Sequence, residues 1–127
     1  RDFSKMGLSC LIGNNTLMLP ALTIGATGCI DGPLNLLPEL WIDIWKAYQD
    51  GDLKQADMAQ NRATEVFHLL FGNYGYYATM KVLMSKRLGK NCGDPRLPFQ
   101  PLTSEQRVEV CKLADALELE GKIIFSK

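Results

Sequence analysis

The chain has 127 residues, of which 46% are hydrophobic, enough material for one globular domain with a buried core. Its 14 basic residues balance 14 acidic ones, so the composition does not favour a nucleic acid or an anionic membrane surface as a partner. Glycine, proline, asparagine or aspartate interrupts every apolar run well before it could span a bilayer. We therefore expect a protein that binds neither nucleic acid nor membrane.

The four cysteines are Cys10, Cys29, Cys92 and Cys111, and no two of them have the spacing CxxC. Only one histidine, His68, is present to join them, so no metal site is predicted. Cys10 and Cys29 stand inside apolar runs, where a free thiol packs like a small hydrophobic side chain. This pattern favours a reducing compartment, most simply the cytoplasm, although it leaves disulfides possible.

Two short apolar runs, residues 8–12 and 28–30, each end abruptly in turn-forming residues. The segment between them, 16–24, has a helical pattern, and either Asn14 or Asn15 can cap its beginning. Strand, helix and strand in this order predict two parallel strands joined by a crossover.

The remainder of the sequence is predicted to be mainly helical. Asp52 and Thr103 can each cap a helix, and Gln106 three residues after Thr103 completes a capping box. A proline-rich extended connector, NCGDPRLPFQP, precedes that last helix, and its Arg96 is expected to tie the connector to the rest of the fold. The predicted helices are 38–50, 53–71, 76–88 and 103–119.

Two strands do not make a stable sheet by themselves. Their nearly continuous apolar character is typical of strands that are covered on both faces. An apolar run also follows Arg1 almost at once. We therefore expect the sequence to be part of a longer domain that supplies the missing neighbours.

The stretches LSCLIGNNT, LPALTIGATG and CIDGPLN resemble, in this order, the last quarter of the barrel in the dihydrodipicolinate synthase and N-acetylneuraminate lyase family. The stretches LLPELWIDIWKAYQDGDLKQA, YYATMKVLMSKRLG and PRLPFQPLTSEQ extend the resemblance over nearly the whole chain. The fold that this implies is α/β, the C-terminal portion of a (β/α)8 TIM barrel followed by a helical extension. Residues 1–50 would hold the last two βα units and residues 51–127 the extension.

The resemblance implies an enzyme that joins or cleaves pyruvate, or another 2-oxo acid, and an aldehyde through a Schiff base with a lysine. In that family the lysine and a proton-transferring tyrosine lie on earlier strands, so no catalytic residue is assigned in this chain. No cofactor and no metal are expected. A homotetramer of the full-length protein is expected, since family members are commonly tetramers.

The resemblance also implies a substrate-binding wall, made by the residues that follow the two strands: Gly13, Asn14, Asn15, Ile30, Asp31 and Gly32. Gly13 would let the backbone approach the substrate. Ile30 would lie beside the pyruvate unit. Asn14 and Asn15 stand where relatives often have aspartate; their amides could bind hydroxyl groups without bringing charge.

Other roles are open for the same residues. Asp31 and Gly32 replace residues of Gly-Ser or Ser-Val type, and Asp31 could bind a distal hydroxyl or equally cap the turn at Pro33. Gly13 and Gly32 could be plain turn glycines, and the asparagines simple helix caps.

Three further hypotheses compete with the tail of a single-chain lyase. One is a half-barrel that completes its site with a separately made partner. Another is a noncatalytic helical binding or regulatory module derived from the same fold. The last is a free-standing helix-rich protein whose similarity to the family is accidental.

Overall fold

The computed structural model describes residues 2–125. Their contacts divide the chain into two compact units, the first extending to Thr64 and the second beginning at Glu65. The predicted division after residue 50, between barrel and extension, stays a prediction. The first unit contains α1 (Asp2–Lys5), β1 (Leu11–Ile12), a 3-10 turn (Asn15–Leu17), α2 (Met18–Thr23), β2 (Gly28–Cys29), α3 (Pro33–Leu36) and α4 (Pro38–Gln49). Helix α5 (Leu53–Phe71) runs from the first unit into the second, which also contains α6 (Tyr76–Leu88) and α7 (Ser104–Leu119).

The two predicted strands form a parallel pair, as expected. Leu11 lies opposite Gly28 and Ile12 opposite Cys29. Beyond the strand ends, the Ile30 amide donates to the Ile12 carbonyl at 2.9 Å. The strands are shorter than predicted because regular pairing covers only two residues on each. In the described chain this sheet has two strands, so each strand has one edge without a backbone partner.

The crossover begins as a 3-10 turn and continues as α2. Asn14 caps it, since its Oδ1 accepts a hydrogen bond from the Thr16 amide at 3.0 Å. Pro20 is the third residue of α2, where its missing N–H would lack an intrahelical partner in any case. Leu19 and Leu22 face the interior of the first unit.

Helix α4 covers the end of the crossover. Its buried face includes Leu40 and Ile44. The Tyr48 hydroxyl donates to the Leu22 carbonyl at 2.9 Å, which fixes α4 against α2. Helix α3, just before α4, was not predicted; Pro33 occupies its first turn, where proline is favoured.

In the second unit, the connector between α6 and α7 has no helix or strand from residue 91 to 103. Arg107 holds its later part. The Arg107 guanidinium forms an ion pair with Asp94, and its Nε donates to the Leu102 carbonyl at 3.1 Å. Within the described residues this tie is therefore made by Arg107, and the expected tie through Arg96 is not seen.

The capping box that begins α7 is confirmed. Thr103 Oγ1 accepts from the Gln106 amide at 3.3 Å, and Gln106 Oε1 accepts from the Thr103 amide at 2.9 Å. Because the box is local, it should operate in a synthetic peptide of residues 101–121. We expect Thr103→Ala to reduce the helicity of this peptide, measured by circular dichroism, by an amount equivalent to about 1 kcal/mol. Ser104→Ala, one position later, is the matched control and should leave helicity nearly unchanged; equal losses from both would contradict the box.

Candidate functional site

The predicted site residues lie where β1 and β2 end. Parallel strands present their carboxyl ends at one edge of the sheet, so the loops after β1 and β2 are neighbours. Gly13 faces the second loop at ordinary contact distance: a Cβ built on it would lie 3.9 Å from the Ile30 carbonyl oxygen. Hydrogen bonds join Asn15 of the first loop to Asp31 of the second.

The Asp31 carboxylate is the link between the two loops. Its Oδ2 accepts from the Asn15 backbone amide and from Asn15 Nδ2, each at 2.9 Å. Its Oδ1 accepts from the adjacent Gly32 amide at 2.7 Å, but α3 has Gly32 at its N-cap and no side-chain cap, so the predicted capping of the turn at Pro33 is not seen in the described residues. An ionised acceptor strengthens such bonds to about 1.5–3 kcal/mol each, so Asp31 orients the Asn15 side chain firmly.

Asn15 is the most enclosed of the predicted site residues, with 4% of its surface exposed. Its carbonyl oxygen accepts from Trp41 Nε1 and from Gln60 Nε2, both at 3.2 Å. Its side-chain Oδ1 is buried and accepts no hydrogen bond within residues 2–125. An unsatisfied buried acceptor destabilises the fold by about 1–3 kcal/mol. Asn15 Oδ1 is the buried acceptor of this site that lacks a hydrogen-bond donor within residues 2–125.

Gln60 supports the site from α5 and was missed by sequence reasoning. Only 6% of its surface is exposed. Its Oε1 accepts from the Leu19 amide at 2.9 Å, while its Nε2 donates to the Asn15 carbonyl. The one sequence signal was a polar residue on the same helix face as Ala56 and Ala63, both fully buried.

The remaining predicted residues line the outside of this cluster. Asn14 is exposed, and its Oδ1 is already used by the amide and the hydroxyl of Thr16, so it acts as a helix cap. Ile30 is 66% exposed at the end of β2. The structure thus places Gly13, Ile30 and the Asn15–Asp31 pair together, with Asn14 facing solvent.

Cys29 lies immediately before this cluster. Burial, together with the negative charge of Asp31, raises the pKa of its thiol to about 11. A thiolate is therefore scarce at neutral pH, which makes Cys29 a packing residue and a poor nucleophile.

We expect iodoacetamide at pH 8 to alkylate Cys29 about tenfold more slowly in the folded protein than after unfolding in urea. The raised pKa lowers the thiolate fraction, and the greater nucleophilicity of a more basic thiolate offsets only part of that loss. Mass spectrometry of tryptic peptides over time measures both rates. Equal rates in the folded and unfolded protein would contradict the pKa shift.

Neither a metal site nor a membrane span is found between residues 2 and 125. The four cysteines are free, and no group of three or more histidine, cysteine, aspartate or glutamate side chains there could hold a metal ion. None of the helices in this part of the chain is long and apolar enough to cross a bilayer.

Comparison with known proteins defines the class. A 2-keto-3-deoxygluconate aldolase variant from Sulfolobus solfataricus superimposes with a TM-score of 0.74 at 24% identity, over 87% of this chain and 37% of that one. The sialic acid aldolase of Ruminococcus gnavus superimposes with a TM-score of 0.78 at 22% identity, over 91% and 39%. These neighbours are TIM-barrel aldolases, and this chain shares the fold of part of them, being mostly helical with a small parallel sheet.

The family follows from the sequence match. The model of the dihydrodipicolinate synthetase family matches residues 3–117, and the chain belongs to this family. The 4-hydroxy-tetrahydrodipicolinate synthase of Archaeoglobus fulgidus is 31% identical over 109 residues, which are 86% of this chain and 37% of that protein. The chain thus spans a little over a third of the length of this relative. The resemblance seen in the sequence is confirmed, and accidental similarity is ruled out.

Proposed function

We propose that this chain is the C-terminal part of a Schiff-base-forming lyase that joins or cleaves pyruvate, or another 2-oxo acid, and an aldehyde. In this proposal residues 1–50 are the last two βα units of a TIM barrel and residues 51–127 its helical extension. The observation that carries the proposal is the pair of parallel strands whose loops converge on Asn15 and Asp31. Active sites of TIM barrels are built from such loops, at the carboxyl ends of the strands.

The pocket wall suits the recognition of a polar, uncharged part of a substrate. Asn15 Oδ1 is a buried acceptor without a donor, and a substrate hydroxyl would supply one once the surrounding loop opened to expose it. The exposed side chain of Ile30 provides apolar surface beside it, for the pyruvate methyl group or its equivalent. Gly13 leaves room for the substrate next to the backbone. Asp31 acts on the substrate indirectly, by orienting the Asn15 amide.

The catalytic lysine and tyrosine would come from strands that precede this chain. The lysines of the first unit do not suit the role: Lys5 lies on α1, Lys46 on α4 and Lys54 on α5, and all three are exposed. A Schiff-base lysine needs a lowered pKa and hence a secluded position. The complete enzyme would be a homotetramer in the cytoplasm, with no cofactor.

A noncatalytic binding or regulatory module is the second candidate. The observation that favours it is the saturation of the Asp31 carboxylate by three protein N–H groups, which leaves it little capacity for a substrate. A half-barrel with a separately encoded partner would show the same geometry. The first proposal requires barrel strands with the catalytic lysine and tyrosine before Arg1 in the same chain, and these two alternatives do not.

The reading frame upstream of Arg1 provides the first test. An open frame of about 150 or more residues with βα repeats and a strand-end lysine would support the lyase, given the usual size of the barrel. We call the product of the whole frame the full-length protein. A start codon close to Arg1 would contradict the single-chain lyase and favour a partner or a noncatalytic role.

Trapping with borohydride provides the second test. Condensation of a lysine amine with the pyruvate carbonyl releases water and leaves an iminium, which borohydride reduces to a stable secondary amine. We expect the full-length protein to gain the mass of pyruvic acid less one oxygen atom, on a single peptide that precedes Arg1. The chain 1–127 alone is the control and should gain nothing. Absence of the adduct from the full-length protein would refute the Schiff-base proposal.

A further inference from the structure

An apolar groove lies in the second unit, between α6 and the connector that follows it. We call it the connector groove. Its volume is about 270 Å³, just below the usual range of about 300–1,000 Å³ for small-molecule pockets. Its lining includes Tyr77, Met80, Lys81, Arg96, Leu97 and Phe99.

Hydrogen bonds clamp the connector on both sides of the groove. On one side, Lys81 Nζ donates to the Cys92 carbonyl at 3.0 Å and the Cys92 amide donates to Ser85 Oγ at 3.0 Å. On the other side along the chain, after the lining residues, Arg107 Nε donates to the Leu102 carbonyl at 3.1 Å. The groove is therefore bounded by fixed backbone, which lowers the cost of ordering it around a ligand.

One wall of the groove is aromatic. The rings of Tyr77 and Phe99 have their centroids 4.4 Å apart and are tilted by 48°. Leu97, on the connector, is 83% exposed, the second-highest value among the large hydrophobic side chains. A flat apolar molecule would cover this surface and remove it from water.

The charges around the groove are positive. Lys81 and Arg96 both line it, and no aspartate or glutamate does. Arg96 makes no side-chain hydrogen bond or ion pair with any residue from 2 to 125, and the nearby Asp94 is engaged by Arg107. A guanidinium with free donors presents a fork that matches a carboxylate.

From this combination we propose that the connector groove binds a small aromatic carboxylate, with its ring against Tyr77 and Phe99 and its anion at Arg96. The proposal does not depend on the lyase activity, because every residue that would contact the ligand lies on α6 or the connector. Affinity for a ligand of this size should be modest, with a Kd on the order of a millimolar.

Titration of the full-length protein with 2-naphthoate and, separately, with 2-naphthalenemethanol tests the proposal. The two probes share the ring system and differ in charge. Isothermal titration calorimetry gives Kd, and saturation-transfer difference NMR reports binding at these weak affinities. We expect the naphthoate to bind at least about threefold more tightly than the alcohol at low ionic strength, and added salt to narrow the difference.

Variants locate the site. Arg96→Gln should remove the preference for the carboxylate while leaving the thermal midpoint of the protein unchanged. Phe99→Leu should weaken the binding of both probes. Lys90→Gln is the matched control, since Lys90 is exposed on the same segment and does not line the groove.

Several results would overturn the proposal. One is the absence of naphthoate binding up to several times the expected Kd. Another is equal affinity for the two probes, or a preference that survives Arg96→Gln. A third is a lower thermal midpoint for Arg96→Gln with no change in probe preference, which would make Arg96 a structural tie.

Discussion

Residues 1–127 produced alone are expected to unfold over a broad temperature range and to aggregate, whereas the full-length protein unfolds cooperatively. The physical reason is the incomplete sheet: β1 and β2 form two residue pairs, and each keeps an unpaired edge. Leu11, in β1, is 50% exposed, and a groove of about 220 Å³ stands open between β1 and α2. Differential scanning calorimetry and light scattering of both proteins measure the difference.

A charged residue on β1 tests whether the unpaired sheet edge, and not a general loss of stability, causes the aggregation. Leu11→Lys should reduce aggregation of the short chain, because it blunts an exposed edge. In the full-length protein the same substitution should lower the free energy of unfolding by about 2 kcal/mol. In the proposed complete barrel, Leu11 is buried against the neighbouring strands that this chain lacks. Leu119→Lys is the control at an exposed leucine of α7 and should change neither protein much. A sharp, reversible transition from monomeric 1–127 would contradict the fragment interpretation.

Gly13→Ala in the full-length protein is expected to lower kcat/KM by about ten- to hundredfold without changing the unfolding midpoint. Within this chain the change is harmless, since the new Cβ would make an ordinary contact of 3.9 Å with the Ile30 carbonyl and no positive φ is involved. In the proposed site the same methyl group would push the substrate from the backbone, and displacements near 1 Å cost up to about a hundredfold in rate. Steady-state kinetics with pyruvate and the aldehyde measures the effect.

The control for Gly13 is Gly75→Ala. Gly75 precedes α6, has open space around the position of a Cβ and has a negative φ, so the substitution should leave kcat/KM unchanged. Unchanged kinetics for Gly13→Ala would make Gly13 a plain turn glycine, which the sequence left open. The test depends on the proposed lyase activity, and borohydride trapping checks that activity independently.

Much of the candidate site could be located from the sequence because two local signals coincide. Each apolar run ends in turn-forming residues, and parallel strands place such ends together. Asp31 and Asn15 were both singled out in this way. Their mutual hydrogen bonds were not predicted, because each residue has several local uses and only the register of β1 on β2 brings them within 2.9 Å.

Gln60 shows more clearly which contacts cannot be predicted from the sequence. It is 45 residues from Asn15 along the chain, and nothing near either residue indicates their contact. The same holds for Arg107, which takes over the tie expected of Arg96 because the connector turns back beside α7. Side-chain hydrogen bonds of this kind depend on distances that periodicity does not encode.

The sequence by itself determined the longer helices, the capping box at Thr103, the parallel strand pair and the family. These rest on short-range chemistry, namely helical spacing of apolar residues, caps and turn residues, or on order along the chain. Only the tertiary structure decided that Asp31 orients Asn15, that Asn15 Oδ1 is buried without a donor and that Arg96 faces an apolar groove. Those features arise where distant segments meet, and the free energy of each depends on the burial and geometry of both partners.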